Sequence, residues 1–179
     1  MKKLDKSFYN IDALDLAKKL IGKYIVRNIN SNYIIAKITE TECYKGDNFD
    51  KACHAYKSKR TKRTESLFLS GGHLYIHLIY GMYYCMNIVA DKEEVPSGVL
   101  IRNIEIVKGL DIACNLRYNK DYIYLTKYQK DNLSNGPGKV CKCLNIDMNL
   151  NQKDLYSKND IFLIDNLYNK VSVIIIVLK

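Results

Sequence analysis

The alternation of apolar and polar positions divides the chain into short helices and strands. An amphipathic helix is predicted over residues 11–21, with Asp12 as its N-cap and Gly22 as the glycine that stops it. The face of this helix predicted to be buried consists of Leu14, Ala17, Leu20 and Ile21. The first elements along the chain are therefore a helix and then a pair of strands, which the polar tripeptide Asn30-Ser31-Asn32 joins as a hairpin.

The remaining pattern predicts more strands than helices and no regular alternation between the two. Strands are predicted over residues 24–29, 33–44, 74–79, 82–89, 99–106, 161–165 and 171–178, and further helices near 107–117 and 139–145. The polar stretches 45–65 and 118–134 are predicted to be a functional loop with short helical pieces and a surface excursion. This order indicates an α+β fold around an antiparallel sheet, with residues 1–179 as a single compact domain.

Composition and charge narrow the class of partner. Hydrophobic residues make up 47% of the 179 residues, with only 2 Pro and 9 Gly, which excludes a disordered or collagen-like chain. The formal net charge of +9 favours an anionic partner, either nucleic acid or a membrane surface.

The cysteines and the N-terminus indicate a reducing compartment. The start, MKKLDKSFYN, has no apolar stretch of the kind found in a signal peptide, and the longest apolar run, 173–178, is far too short to cross a bilayer. We therefore expect a cytoplasmic protein, not a membrane protein, whose six cysteines are reduced and buried. Cys141 and Cys143 are spaced too tightly for a zinc knuckle, so no metal site is expected.

One strand carries a candidate acid–base group. In the segment from Ile38 to Tyr44, strict alternation predicts that Ile38, Glu40, Glu42 and Tyr44 share one face. The plain interpretation is an edge strand with solvated carboxylates. The functional alternative is a general base beside an aromatic ring on which a substrate stacks.

The loop after this strand is strongly basic. Six cations and no acid lie between positions 51 and 63, namely Lys51, Lys57, Lys59, Arg60, Lys62 and Arg63. They form either a solvated charged face or a strip that contacts phosphates. His54 lies within the loop and is either a packed residue or part of a site.

The predicted hairpin 74–89 carries an unusual number of aromatic residues. Alternation places Tyr75 and His77 on one face, and Tyr80 precedes Gly81 at the bend. A ring at a hairpin tip either folds back onto a neighbour or acts as a wedge that enters the DNA minor groove and displaces a nucleotide. A basic strip, a wedge, an aromatic platform and a carboxylate together match an enzyme that takes a base out of the stack.

The ordered motifs resemble the alkyladenine (3-methyladenine) DNA glycosylase family, the mammalian-type monofunctional purine DNA glycosylases. They are Leu14-x-x-Ala17-x-x-Leu20-Ile21-Gly22, Glu40-Thr41-Glu42-Cys43-Tyr44, Ala52-Cys53-His54, Thr64-Glu65-Ser66-Leu67-Phe68, the run from Gly72 to Asn87, Val99-Leu100-Ile101-Arg102 and Asn135-Gly136-Pro137-Gly138-Lys139-Val140-Cys141. The resemblance implies a curved antiparallel sheet with peripheral helices and a protruding, DNA-intercalating β-hairpin. It also implies hydrolysis of the N-glycosidic bond of alkylated or deaminated purines (the 3-methyladenine, 7-methylguanine and hypoxanthine class) flipped out of duplex DNA, without strand cleavage or a cofactor.

By the same resemblance, Glu42 matches the general base that activates water, and Arg102 matches the arginine that helps to hold this water and the nearby phosphate. The expected partner is damaged double-stranded DNA, contacted by Lys57, Lys59, Arg60, Lys62 and Arg63. We expect a monomer, associated with the nucleoid if the source is bacterial.

The base pocket follows from the resemblance in the same way. Tyr44 matches the ring that stacks on the flipped base, and His54 matches the residue that contacts its edge and closes the other side. Asn87 matches the residue that disfavours the guanine amino group, and Tyr80 matches the wedge. His77 stands where many relatives have Tyr, which predicts a shifted substrate preference.

The end of the chain departs from the family pattern. Relatives continue with an Arg-x-Gly-x segment and a Trp-Arg-Phe-Tyr-like strand, whereas this chain ends in the apolar run 173–178 followed by Lys179. We therefore expect a C-terminally shortened member. Two other functions remain open, a damage-binding protein of the same fold with weak or no excision and a generic RNA-binding module.

Overall fold

The computed structural model describes residues 2–48, 50–157 and 159–167. It has an α+β architecture in which six antiparallel strands curl into a half-barrel. The strands are β1 (Tyr24–Ile29), β2 (Asn32–Lys45), β3 (Leu74–Ile79), β4 (Tyr83–Val89), β5 (Ser97–Lys108) and β6 (Ile161–Ile164). Their order across the sheet is β3-β4-β5-β2-β1-β6, so β2 and β5 lie at its centre. The predicted strand 171–178 and the apolar run 173–178 lie outside the described residues.

The described residues contain five short α-helices: α1 (Lys6–Tyr9), α2 (Ala13–Leu20), α3 (Leu110–Tyr118), α4 (Lys127–Asp131) and α5 (Pro137–Cys143). Helix α2 packs on β2 and β5, whereas α5 packs on β4, β5 and α3. Among the described residues no helix is long and apolar enough to span a membrane.

Helix α2 confirms the predicted N-cap but corrects the predicted buried face. The Asp12 carboxylate accepts a hydrogen bond from the Leu14 backbone N–H at 2.9 Å. Leu14 and Ile21 are exposed, and the buried side chains of the helix are Ala13, Leu16, Ala17 and Leu20. The prediction was right for Ala17 and Leu20 and wrong for Leu14 and Ile21, because the buried positions 13, 16, 17 and 20 follow helical spacing one position earlier.

Turn chemistry explains the first hairpin. Asn30 and Ser31 both have positive φ angles, 49° and 67°, as a two-residue hairpin turn of the primed kind requires. Ile29 therefore pairs directly with Asn32, and β2 begins one residue earlier than predicted.

Other boundaries move by a few residues. Strand β5 runs to Lys108, so α3 begins at Leu110 instead of 107, behind a left-handed Gly109. Helix α5 begins two residues earlier than predicted because Pro137 occupies its first position, where a missing N–H costs nothing.

The main core lies between one face of the sheet and the helices. Its largest fully buried side chains include Tyr9, Leu16, Ile38, Met86 and Ile101. All six cysteines are free thiols, as predicted, and five of them are buried, whereas Cys43, also expected to be buried, is half-buried. A smaller cluster beneath the basic loop joins Cys53 and Ala55 to Leu67, Phe68, Tyr75 and Val89. This cluster anchors the loop to the sheet, so the loop has a defined position beside β3.

Candidate active site

A cavity of about 210 Å³ opens where strands β2 to β5 meet the basic loop. This volume lies below the roughly 300–1,000 Å³ of sites for drug-sized ligands, so it suits a smaller planar group. Its lining residues are Tyr44, Ala52, Cys53, His54, Leu67, Tyr75, His77, Ile79, Cys85, Asn87, Gly98, Leu100, Arg102 and Pro137.

The carboxylate of Glu42 lies beside the cavity in contact with two of its lining residues. Arg102 Nη1 donates to Glu42 Oε2, and Arg102 Nε donates to Glu40 Oε1 at 3.2 Å. Tyr44 lies beside Glu42, and burial together with the neighbouring Glu42 carboxylate raises the pKa of Tyr44 to about 12. Because 40% of the Glu42 side chain is exposed, water can reach a carboxylate that Arg102 holds in position.

A β-bulge sets the direction of Glu42. The pairing of β2 with β5 shifts register between Ile38 and Glu40 and again between Glu40 and Thr41. Ile38 is fully buried in the core, and Thr41 Oγ1 donates to the Ala17 carbonyl of α2 at 3.0 Å. The prediction that Ile38 shares a face with Glu42 was therefore wrong, because the bulge reverses the alternation between them.

The edge-strand interpretation of this segment holds locally, although β2 is central in the strand order. Strand β1 pairs only with residues 32–37 of β2, so within the described residues the part of β2 that carries Glu40 and Glu42 pairs with β5 alone. Glu42 pairs with Leu100 of β5, and Arg102 lies two residues further along the same strand. The pairing with β5 allows a cation from that strand to reach both Glu40 and Glu42.

Aromatic rings form one wall of the cavity. Tyr75 and His77 alternate onto the same face of β3, as predicted, and their rings stack with centroids 5.1 Å apart. His54 from the basic loop meets His77 edge-on, at 4.6 Å and 84°. The structure thus brings His54 and His77 together across 23 residues of sequence, with Tyr75 behind them.

Both imidazoles are neutral at pH 7. Burial, followed by the nearby His54 and Arg63, lowers the pKa of His77 to about 4. Burial and Arg63 likewise lower the pKa of His54. Neutral, electron-rich rings are attractive surfaces for a cationic group stacked upon them.

Asn87 is 4% exposed and is held in one orientation. Its Nδ2 donates to the Tyr75 backbone carbonyl at 3.2 Å and to His77 Nδ1 at 3.4 Å. A backbone carbonyl only accepts, so the nitrogen and oxygen of this amide are distinguished. The predicted pocket residues Tyr44, His54, His77 and Asn87 all line the same cavity.

Tyr80 lies at the tip of the hairpin formed by β3 and β4. Its side chain is 85% exposed, and its φ angle of 52° is in the left-handed region, which bulky residues rarely occupy. Gly81 follows with a φ of 68°. Tyr83, the first residue of β4 directly after the bend, packs closely against Gly138 of α5, which braces the hairpin near its tip. The ring of Tyr80 is not folded back onto a neighbour.

The cations of the loop differ in their surroundings. Arg60 is bound within the protein, because it donates twice to Glu65 and once to Glu94 and lies 4.7 Å over the Phe68 ring. Arg63 Nη2 contacts His54 Nε2 at 3.2 Å. The others, Lys51, Lys57, Lys59 and Lys62, are exposed and form no ion pair within the described part of the chain.

Sequence reasoning did not include several cavity residues. Tyr75 was placed on the correct face but was not assigned to the site, although its hydroxyl bonds to His54 Nδ1 at 2.7 Å. Pro137 lines the cavity because Asn135 bridges to Asn103 of β5 and brings the start of α5 to the opening. No sequence signal links Pro137 to β3 and β5, since their proximity arises only in the folded chain.

The comparisons with known proteins agree with this geometry. The family described as methylpurine-DNA glycosylase (MPG) matches residues 7–176. A protein of Clostridioides difficile (strain 630) named "Putative 3-methyladenine DNA glycosylase" is 46% identical over 166 residues, which cover 93% of this chain and 81% of the relative. Proteins of the same name from Clostridium perfringens (strain SM101 / Type A) and Natranaerobius thermophilus are 46% and 44% identical, with 92% and 90% of this chain covered and 80% and 78% of the relatives. The chain therefore belongs to the methylpurine-DNA glycosylase family, DNA repair enzymes that hydrolyse N-glycosyl bonds.

Proposed function

We propose that the protein removes alkylated or deaminated purines, of the 3-methyladenine, 7-methylguanine and hypoxanthine class, from duplex DNA and leaves an abasic site. The observation that carries this proposal is Glu42, a water-accessible carboxylate held by Arg102 beside Tyr44 at the edge of a ring-walled cavity. The relatives' name specifies 3-methyladenine, which is the first substrate to test.

The chemistry needs only a water molecule and the residues of this chain. Glu42 accepts a proton as the water oxygen attacks the anomeric carbon of the flipped nucleotide. The bond between that carbon and the purine nitrogen breaks, and the base leaves with the bonding electrons. Arg102 orients Glu42 and offers a positive charge to the adjacent phosphate.

Base selection rests on the neutral aromatic wall. A purine methylated at N3 or N7 is cationic, so stacking between Tyr44 and the imidazoles of His54 and His77 is worth about 0.5–2 kcal/mol through cation–π attraction. Asn87 occupies a fixed position in the same cavity, where it can exclude the amino group of normal guanine. Methylation also makes the base a better leaving group, so stacking and leaving-group chemistry favour the same lesions.

DNA binding involves the hairpin and the loop on either side of the cavity. Tyr80 enters the minor groove and fills the space of the displaced nucleotide. Lys57, Lys59, Lys62 and Arg63 contact the phosphates, with Arg60 at the base of the loop. One copy of the chain holds every group in this proposal, which supports action as a monomer without a cofactor.

The decisive experiment measures release of 3-methyladenine from methylated DNA, with hypoxanthine-containing duplex as the second substrate. Glu42→Gln keeps the size of the side chain but cannot accept the proton, so release should fall to the limit of detection while lesion binding remains. Glu105→Gln is the matched control, because Glu105 is an exposed carboxylate on β5 outside the cavity. Equal release by the wild type and Glu42→Gln would exclude Glu42 as the base.

The same assay separates the two alternative functions. Wild-type protein that binds lesion duplex but releases no base from either substrate would identify a damage-binding protein of this fold. RNA binding tighter than duplex-DNA binding at matched salt concentration would instead identify an RNA-binding module.

A further inference from the structure

Arg63 is the one loop cation whose guanidinium touches the base pocket. Its Nη2 lies 3.2 Å from His54 Nε2, and the other ring nitrogen, Nδ1, lies 2.7 Å from the Tyr75 hydroxyl. A guanidinium has only donors, so His54 Nε2 must accept. The ring proton of neutral His54 is therefore on Nδ1 and is donated to the Tyr75 oxygen.

We propose that Arg63 is a positioning residue for base recognition, which holds His54 in its neutral Nδ1–H form with its edge fixed to Tyr75. The effect on base selection rests on the proposed function, whereas the contacts of Arg63 and His54 are present in the free protein. Arg63 thus has a role beyond neutralising phosphate. A cation that contacted only DNA would not need its guanidinium beside the His54 ring nitrogen.

The groups around His54 are consistent with one protonation state. Arg63 faces Nε2, Tyr75 faces Nδ1, and the His77 ring lies edge-on at 4.6 Å. Cys53, the preceding residue, is a buried thiol whose pKa burial raises, so it brings no negative charge. Burial and the Arg63 charge both lower the pKa of His54, and no anionic side chain opposes them in these contacts.

This arrangement changes what His54 can contribute to a bound purine. Both ring nitrogens are engaged within the protein, so the side chain offers its face and carbon edge rather than a hydrogen bond. Such a wall selects by shape and stacking, which favours cationic alkylpurines over neutral deaminated ones that need hydrogen-bond assistance. Arg63 thereby acts on substrate preference from outside the cavity, since it is absent from the lining.

The first test needs no substrate. Nitrogen-15 NMR of the imidazoles in the free protein should show His54 as the Nδ1–H tautomer in the wild type and as a mixture in Arg63→Met. Arg63→Gln keeps a donor without the charge and should restore the tautomer. Lys62→Met, a change of an exposed cation in the same loop, should leave the His54 signals unchanged.

The pH titration has a defined sign. The positive charge of Arg63 lowers the pKa of His54, so Arg63→Met should raise that pKa, while Lys62→Met should not. The acid limb of single-turnover excision should then move to higher pH in Arg63→Met. The ratio of 3-methyladenine to hypoxanthine release should also fall by up to about tenfold, the net value of one hydrogen bond that the freed His54 Nε2 can make with a neutral base.

The outcomes separate this inference from the proposed function. An unchanged tautomer and an unchanged His54 pKa in Arg63→Met would overturn the role of Arg63, whatever the excision assay shows. Failure of the wild type to release any base would overturn the proposed function, while the NMR result would still decide what Arg63 does. If Arg63→Met unfolds, two other variants provide the comparison. Arg63→Gln keeps a hydrogen-bond donor without the charge, and Arg63→Lys keeps the charge without the guanidinium.

Discussion

At the scale of single residues, Tyr80 is held in a conformation that its own chemistry disfavours. A left-handed backbone at a non-glycine residue costs about 1–2 kcal/mol, and the exposed ring makes no packing contact that offsets this cost. Strain at an exposed aromatic tip is expected where the ring acts on a partner. The backbone cost and the DNA contact can therefore be separated by substitution.

Two substitutions of Tyr80 should have equal effects on binding and different effects on stability. Tyr80→Ala and Tyr80→Gly both remove the ring, so each should weaken binding to lesion duplex. Only glycine adopts the positive φ without strain, so Tyr80→Gly should exceed Tyr80→Ala in free energy of unfolding by about 1 kcal/mol. Fluorescence anisotropy and urea unfolding measure the two effects, and unchanged lesion affinity in both variants would refute the wedge.

The His77 imidazole makes stability depend on pH in a definite direction. Its pKa is about 4 in the folded protein, against an ordinary value of 6.5, so the unfolded chain binds more protons between these values. Stability should therefore fall as the pH drops from 6.5 to 4. Urea unfolding at pH 5 and pH 7.5 should show a smaller acid loss for His77→Phe than for the wild type. An equal loss in both proteins would mean that His77 does not carry this dependence.

At the scale of elements, the basic loop is a fixed structure and not a free chain. Gly46 N–H donates to the Pro96 carbonyl at 2.7 Å, and Ala55 is fully buried in the cluster beneath the loop. A Cβ on residue 46 would come within 2.6 Å of the Pro96 carbonyl oxygen, so only glycine permits this approach. Arg60 adds ion pairs to Glu65 and Glu94, which tie the loop to the segment before β5.

Arg60 and Lys62 should therefore contribute differently to DNA affinity. Lys62→Gln removes an exposed cation without an intramolecular ion pair among the described residues, so the slope of log affinity against log salt should decrease by about 0.9 for one phosphate lost. Arg60→Gln should change that slope less, because Glu65 and Glu94 already neutralise Arg60. Its larger effect should be faster amide hydrogen exchange in the loop. A slope change for Arg60→Gln equal to that for Lys62→Gln would place Arg60 on the phosphates.

At the scale of the whole molecule, the curled sheet brings five separate stretches of sequence together at one cavity. The bulge in β2 turns Glu42 towards Arg102 of β5, the hairpin supplies His77, and the loop supplies His54. Helix α5 completes the opening with Pro137. Six of the 28 basic residues lie in the loop beside the cavity, with no acidic residue among them.

Much of the fold was predictable from the sequence because it depends on interactions between residues close together in the chain. The cap at Asp12, the two hairpins and the α+β class depend on nearest-neighbour preferences and period-2 alternation, which act within a few residues. The family motifs also identified Glu42, Tyr44, His54, His77, Asn87 and Arg102, of which all but Glu42 line the cavity and Glu42 contacts two lining residues.

Tertiary structure alone decided the features that depend on distant partners. The bulge in β2 reverses which face its side chains occupy. At the bulge, β2 pairs with β5 while Thr41 donates a hydrogen bond to the Ala17 carbonyl of α2. Other features also depend on groups that no local pattern relates. They are the neutral state of His77, the ion pair of Arg60 with Glu94 and the contact of Arg63 with His54. Sequence by itself therefore determined which elements and chemical groups this protein has. Packing decided which way each group faces, because burial and hydrogen bonding are properties of the folded neighbours.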